Sequence, residues 1–331
     1  MVRLIAREAK RILRWLIPLL DVLASPAVAL SALVLRVVRR VGVARLPLSR
    51  RALFSIGVFP ILDHYYEPLF TAGPRGLSFD HDRYLPGIRL NDKAQLALLE
   101  KFCYNEELLQ LPLEKKREGE FYYHNGSFES GDAEYLYNMV RHFKPRRIVE
   151  IGAGFSTLLI RKAIDKNREN DSAYSCEHIC VEPFENQWLE TVNVTVVRKP
   201  VESVDKSIFY ALEANDILFI DSSHVIRPQG DVLSEYLEIL PILKKNVLVH
   251  VHDIFTPRDY PERMIVEEVR FWNEQYLLEA FLSGGTTYDV IGAVNYLARQ
   301  YPESLGRKCP VFSQERSFRQ PGSFWIRKES D

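Results

Sequence analysis

Cysteine is scarce in this chain. Four residues (Cys103, Cys176, Cys180 and Cys309) are spread over 331 positions, too scattered to form a disulfide framework. Cys176-x-His178-x-Cys180 resembles half of a metal site, but no second half exists, and alternation along a strand explains it better than zinc. No internal repeat or low-complexity tract occurs, so nothing argues for a repeat architecture. Net charge is nearly absent too: 43 Lys+Arg against 44 Asp+Glu leave −1. That balance hides an asymmetry. Through Arg51 there are eleven basic residues and two acids, a local +9, so the remainder carries −10. The remainder shows no basic-aromatic surface of the kind that reads nucleic acid. The first fifty-one residues are an appendage suited to an anionic partner.

The most informative stretch runs from Arg147 to Thr157. Ile148, Val149 and Ile151 suit a parallel strand covered on both faces. Gly152 and Gly154 let the backbone turn sharply and come close to a ligand. Ser156 or Thr157 is placed to cap a following helix, Leu158 to Asp165. A helix N-terminus facing a pocket offers free N–H groups to a polar or anionic ligand. Such turns also serve dinucleotide-binding oxidoreductases, whose fingerprint is G-x-G-x-x-G. Here Thr157 stands where the third glycine would be. Glu150 lies inside the strand, where that fingerprint needs no carboxylate. A second acid, Glu182, follows the apolar run Ile179-Cys180-Val181, about thirty residues beyond the turn, where a carboxylate can take both ribose hydroxyls.

From Ser130 to Ala293 the pattern alternates helix and strand. The spacing predicts a helix over Ala133–Phe143, started by Asp132 and followed by Pro145. Strands are predicted at Arg147–Ile151, Cys176–Val181, Val194–Arg198, Ile217–Asp221 and Val247–His252. Helices are predicted at Leu158–Asp165, Lys206–Glu213 and Asp231–Leu243. Strands separated by helices give right-handed crossovers and a parallel sheet. Ligands bind beyond the carboxyl ends of such strands. The polar residues expected there are Glu150, Glu182, Asp221, Ser222, His224, His252 and Asp253.

These residues resemble a class I S-adenosylmethionine-dependent methyltransferase, closest to the methyltransferase family 24 group. The resemblance covers roughly Phe121 to Lys328. It is carried by Phe128-Glu129-Ser130-Gly131-Asp132-Ala133, by Ile148 to Thr157, by Val181-Glu182-Pro183 and by Asp216 to His224. His250-Val251-His252-Asp253-Ile254-Phe255, Asn273 to Leu278 and Gly322 to Ile326 also fit. No single motif is specific; together they are. Ser156 stands where the family has its third glycine. The resemblance implies a Rossmann-like α/β fold: a seven-stranded, mostly parallel sheet with helices on both faces. Tyr288–Val294 and Ser323–Arg327 would supply the last pair of strands. It implies S-adenosylmethionine as cofactor, with Glu150, Gly152, Ala153, Gly154, Ser156 and Thr157 around its methionine part. Glu182 and Pro183 would lie at the ribose, Val201 near the adenine, and Asp221 and Ser222 beside the sulfonium. The acceptor expected from it is a small molecule or a glycan-type precursor.

Methyl transfer from a sulfonium needs donor and acceptor in line, and an oxygen or nitrogen acceptor often must also lose a proton. In one scheme His252 or His224 is the general base, since histidine's ordinary pKa suits the task. In the other, Asp221 and Asp253 hold a magnesium-like ion that acidifies an acceptor hydroxyl. Ile254 stands where that arrangement wants a third oxygen ligand, which weighs against magnesium. His250 is expected to be a core histidine. Glu274 and Gln275 lie on an expected helix Glu267–Leu282, where a solvated face is the default and the resemblance suggests an acceptor pocket. Rival readings are an NAD(P)-dependent oxidoreductase on the same sheet type and a non-catalytic membrane scaffold.

In the appendage, Trp15 to Leu35 is almost wholly apolar, close to the ~20 residues that span a bilayer. Asp21, Pro18 and Pro26 argue against a clean span; a mid-membrane Asp costs about 2.5–3.5 kcal/mol. The preferred reading is a surface or half-inserted anchor, with arginines on anionic headgroups and Trp15 at the interface. A true span, or a helical pair packed on the catalytic domain or a second subunit, stays open, and with it a homo-oligomer. Arginines on both flanks set no orientation. A long basic lead argues against a cleaved signal peptide, and the implied cofactor points to the cytoplasmic face of a membrane. Expected domains are therefore 1–51, the membrane-associating segment; 52–120, an irregular cap or connector rich in Pro, Tyr and Phe; and 121–331, the catalytic domain.

Overall fold

A computed structural model describes residues 2–64, 66–69, 78–184 and 186–330; the side chains of residues 2–16 and 187 lie outside that description. The expected roles of Trp15 and of the basic side chains before it fall among these, as does Pro74 of the connector. The chain divides into two compact units, residues 1–76 and 77–331. The segment 52–120, expected as one connector, is thus shared between them.

In the first unit one helix runs Val2–Val41, followed by a short turn Val43–Arg45 and a helix Pro47–Ile56. Pro18 and Pro26 lie inside the long helix and do not end it. Pro26 cannot donate to the Val22 carbonyl one turn back; the Ser25 hydroxyl donates to that carbonyl instead, at 3.0 Å. From Ile17 to Val41 no residue of the helix is buried, and most of its large apolar side chains are exposed.

The second unit is built on a seven-stranded sheet. Its strands are β1 (Arg147–Ile151), β2 (Glu177–Val181), β3 (Thr195–Val197), β4 (Ile217–Ile220), β5 (Leu248–Val251), β6 (Tyr288–Ala293) and β7 (Phe324–Lys328). They lie in the order β3-β2-β1-β4-β5-β7-β6. All pairings are parallel except those of β7, which runs antiparallel to both β5 and β6. Side-chain alternation divides the interior in two. Ile148, Ile217, Phe219 and Leu248 pack beneath the helices Asp132–Phe143 and Phe155–Asn170. Val149, Ile151, Leu218, Ile220, Val249 and Val251 pack on the opposite face with Tyr236, Ile239 and Leu278. Helices therefore cover both faces, as a parallel sheet requires.

Two expected helices are corrected. Asp231–Leu243 is a short helix Asp231–Ser234, a wide turn Glu235–Ile239 and a tight turn Leu240–Ile242. Pro241 has no N–H to give and its ring clashes with the preceding turn. The helix expected from Glu267 begins only at Glu274. The backbone N–H groups of Asn273 and Glu274 donate to the His224 carbonyl, at 2.9 and 3.2 Å, and this tertiary tie fixes where the helix starts.

Candidate active site

The strand order reverses between β1 and β4, where a parallel sheet opens a crevice beyond its carboxyl ends. The chain leaves β1 through Gly152, whose φ is +77°. A Cβ there would lie 2.0 Å from the Asp221 carbonyl oxygen at the end of β4. Only glycine fits. Gly154 has an extended backbone, and a Cβ there would meet nothing within 4 Å; it faces open space.

That space is a cavity of about 380 Å³, lined by Gly152, Ala153, Gly154, Ser156, Glu182 and Asp221 of the predicted set. Tyr122, Phe128, Asn186, Trp188 and the loop around Lys115–Glu120 also line it, and sequence reasoning did not single these out. Phe128 could have been found: it opens one of the motifs that carried the resemblance. The Glu182 carboxylate accepts the N–H groups of Ala153, at 3.2 Å, and Phe184, at 3.1 Å. It therefore holds the glycine turn while bordering the cavity.

Glu150, Thr157, Pro183, Val201 and Ser222 do not line this cavity. Glu150 is wholly buried beneath the turn. It accepts hydrogen bonds from the hydroxyls of Ser156 (2.5 Å) and Thr157 (2.7 Å) and lies 3.1 Å from His178 Nε2. This corrects the expected capping: the helix starts at Phe155, and Ser156 and Thr157 tie its first turn down to β1. Thr157 Oγ1 also accepts the Gly154 N–H at 3.0 Å. Glu150, His178 and Cys180 bring donor atoms within 4.8 Å of one another. Burial pushes the Cys180 thiol up, so it sits there as a protonated hydrogen-bond donor to Glu150. Val201 packs in the core, and the Ser222 hydroxyl donates to buried Glu235 at 3.1 Å.

Beyond Asp221 the predicted acid-base residues do converge. His252 Nδ1 lies 3.5 Å from Asp221 and 3.7 Å from Asp253; His224 Nε2 lies 3.4 and 3.6 Å from the same two carboxylates. Two further acids join them. Glu274 takes His224 Nδ1 at 2.8 Å and accepts the Tyr236 hydroxyl at 3.1 Å. Asp132 lies 3.6 Å from His252 Nε2 and accepts the backbone N–H groups of Gly322 and Ser323. Glu274 and Gln275 are fully buried, not solvated. Asp132, read from sequence as a helix start and as part of a motif of the resemblance, anchors the cluster to the entry of β7.

Four carboxylates around two imidazoles set the electrostatics. Burial works against protonated His224, but Asp221 and Glu274 prevail and raise it to about 10. Burial likewise opposes charge on His252, and Asp253 and Asp221 overcome it, holding the ring well above its ordinary range. For Asp221 burial is outweighed by the two imidazoles, which pull it far below the usual carboxylate range. His250 is different: burial keeps it neutral, stacked on Phe219 at 4.0 Å with Nε2 2.9 Å from the Ser323 hydroxyl. Asp221, His252 and Asp253 bring ligand atoms within 4.8 Å of one another. Phe128 lies against His252, ring centroids 5.2 Å apart, and also lines the cavity. Asp221 and Phe128 thus join the cavity to the cluster.

Comparison with known proteins agrees with this architecture. Residues 149–254 match the family model described as a methyltransferase domain. A protein of Archaeoglobus fulgidus, of uncharacterised function, is 35% identical over 145 residues, 41% of this chain; the chain spans 63% of that relative's length. Among solved structures, the O-methyltransferase TomG of Streptomyces achromogenes, in complex with SAM, is 12% identical with a TM-score of 0.29, covering 71% of this chain and 90% of that one. An O-methyltransferase of Bacillus cereus, in complex with SAH, is 13% identical with a TM-score of 0.32, covering 70% and 91%. The [4+2]-cyclase SpnF scores 0.30 at 14% identity, covering 73% and 96%. Such scores leave the chemistry of this chain to its own residues. Residues 149–254 thus match a methyltransferase domain, and the sheet, parallel but for β7, has the order that the resemblance implied.

Proposed function

We propose that this domain binds S-adenosylmethionine in the cavity under the glycine turn and transfers its methyl group to an oxygen of a small-molecule or glycan-type acceptor. The observation that carries the reading is the position of Asp221. It borders the cavity on one side and the histidine-carboxylate cluster on the other. A sulfonium beside Asp221 would present its methyl group toward His252 and Asp253. Glu182 fits the ribose hydroxyls, and the bare surface of Gly154 fits the methionine part. In this reading His252 takes the acceptor's proton, Asp221 and Asp253 orient its ring, and His224 is the alternative base. Excluding water and aligning the two reactants would supply much of the rate.

Calorimetric titration tests the cofactor. S-adenosylhomocysteine should bind and NAD(P)H should not; the reverse result would move the chain to the oxidoreductases. Transfer of a labelled methyl group to lysate metabolites then identifies the acceptor. Glu182→Ala and His252→Ala variants that kept cellular function would favour a non-catalytic scaffold instead.

A second reading is favoured by the ligand atoms of Asp221, His252 and Asp253 lying within 4.8 Å of one another. These residues could hold a divalent cation, and a bound cation would acidify an acceptor hydroxyl. One nitrogen among the ligands suits magnesium less well than an all-oxygen set. Chelation separates the two schemes: turnover that survives it supports His252, whereas complete loss restored by magnesium supports the metal.

The N-terminal helix fits a membrane anchor that keeps the domain at the cytoplasmic face of a membrane. Most of its large apolar side chains from Ile17 to Val41 are exposed and none is buried.

A further inference from the structure

The long helix changes character at one point. From Ile17 to Leu35 it is apolar apart from Asp21 and Ser25 and Ser31; Arg36, Arg39 and Arg40 then follow. Ile17 to Leu35 rises about 28 Å along the axis, close to the ~30 Å hydrocarbon thickness of a bilayer. A helix inserted over this length carries its three guanidinium groups at headgroup depth.

The chain builds a groove at that level. Residues 60–64, 66 and 67 line, with the end of the helix, a groove of about 980 Å³. Its apolar lining is Ala32, Leu35, Pro60, Ile61 and Leu62. Its polar lining includes the three arginines, with His64 and Tyr66. Asp63 and Glu67 also border the groove, and Glu67 pairs with Arg39. Arg39 stacks over Phe59 at 4.9 Å, and its Nε is buried without an acceptor. Arg36 and Arg40 are exposed, and among the described residues neither has a carboxylate partner. An apolar lining with unpaired guanidinium groups complements an amphiphile with an anionic head.

We infer that this groove binds the headgroup of an anionic phospholipid. Arg36 and Arg40 take the phosphate, and the first methylenes of the acyl chains lie along Leu35, Ile61 and Leu62. Arg39, committed to Glu67, holds the groove open. The inference rests on the membrane-anchor reading and adds to it a lipid preference with a defined seat.

Flotation of the full chain with lipid vesicles tests both. Phosphatidylcholine vesicles are compared with vesicles that also contain phosphatidylglycerol, at one fixed ionic strength. The expected result is binding to both, stronger with phosphatidylglycerol. Arg36→Gln/Arg40→Gln should lower the affinity for the anionic vesicles about 30-fold, since two charges at the surface are removed. The same variant should leave phosphatidylcholine binding unchanged. Arg50→Gln/Arg51→Gln removes equal charge outside the groove and should cost much less. Equal losses from the two variants would overturn the groove as a site. Equal binding to both vesicle types would overturn the lipid preference while leaving the anchor standing. Displacement by soluble glycerol phosphate would overturn the assignment to a bilayer lipid. A chain that floated with neither and ran as a dimer would remove the anchor reading itself, with the helix packed on a second copy.

Discussion

Gly152 and Gly154 stand two residues apart in one turn and answer to different constraints. At Gly152 the constraint is the fold: a Cβ would overlap the Asp221 carbonyl, and φ is +77°. Gly152→Ala should therefore destabilise the domain by about 3 kcal/mol and lower its melting temperature by roughly 6–12 °C. At Gly154 the fold sets no such constraint, because the same Cβ meets nothing within 4 Å, and in the proposed reading the ligand sets it. Gly154→Val should leave the melting temperature within a degree or two yet weaken S-adenosylhomocysteine binding about tenfold or more by calorimetry. Loss of fold in the Gly154 variant, or full affinity, would place the cofactor elsewhere. The acid-base residues make predictions at the same scale. If His252 is the base, kcat/KM should rise with pH through a value above histidine's usual range, because Asp253 and Asp221 retain its proton. A cation bound there would displace that proton and remove the rising limb. His224 reports through stability. Its folded value, about 10, lies above an unfolded value of about 6.5. Its contribution is complete below the unfolded value and disappears as pH rises through about 10. Thermal unfolding followed from pH 6 to pH 10.5 should show that decline, and His224→Gln should flatten it.

At the scale of elements, what could be read from sequence depended on whether the information was local. β1 is legible to the residue, because Ile148, Val149 and Ile151 form a buried run ended by a glycine turn. The convergence of Asp221, His224, His252 and Asp253 followed from a rule of topology that needs only strand ends. The pairing of Glu274 and of Asp132 with histidines was hidden for the opposite reason. Each sits at a helix start, an ordinary place for an acid, and its partner is a histidine from a distant strand end. Periodicity carries no trace of that pairing. Glu150 was drawn to the ligand by its neighbours in sequence, but alternation along β1 turns it into the core beneath the turn, with Ile148. In the proposed reading Glu150 would act on the cofactor through the turn it holds. Glu150→Gln can still accept from one hydroxyl but must place an NH₂ among donors. Its Kd for S-adenosylhomocysteine should rise about three- to tenfold. Hydrogen exchange at Gly154 to Thr157 should quicken, a change that direct ligand contact would not produce in the free protein.

The whole molecule combines two parts of different surface character. Residues 77–331 follow the rules of a water-soluble domain, with apolar side chains buried on both faces of a sheet. The helix from Ile17 to Val41 leaves most of its large apolar side chains exposed. At about 25 cal/mol per Å², that exposure is costly in water and favourable in lipid. The +9 charge of the first fifty-one residues against −10 in the rest separates the same two parts electrostatically. An acidic domain is repelled by an anionic surface, and a basic segment is drawn to it. In the proposed anchor reading the helix supplies both the adhesion and the charge that offsets this repulsion. Removing residues 1–51 should release the protein from membranes into the soluble fraction. Calorimetric S-adenosylhomocysteine affinity should stay within about twofold of the full chain, because the described residues that line the cavity all fall within 115–221. An unchanged membrane fraction would show that the domain adheres by its own surface, through a contact strong enough to overcome its net negative charge. Lost cofactor binding in a soluble, folded truncation would mean that the first unit shapes the cavity, and the two parts would then have to be treated as one.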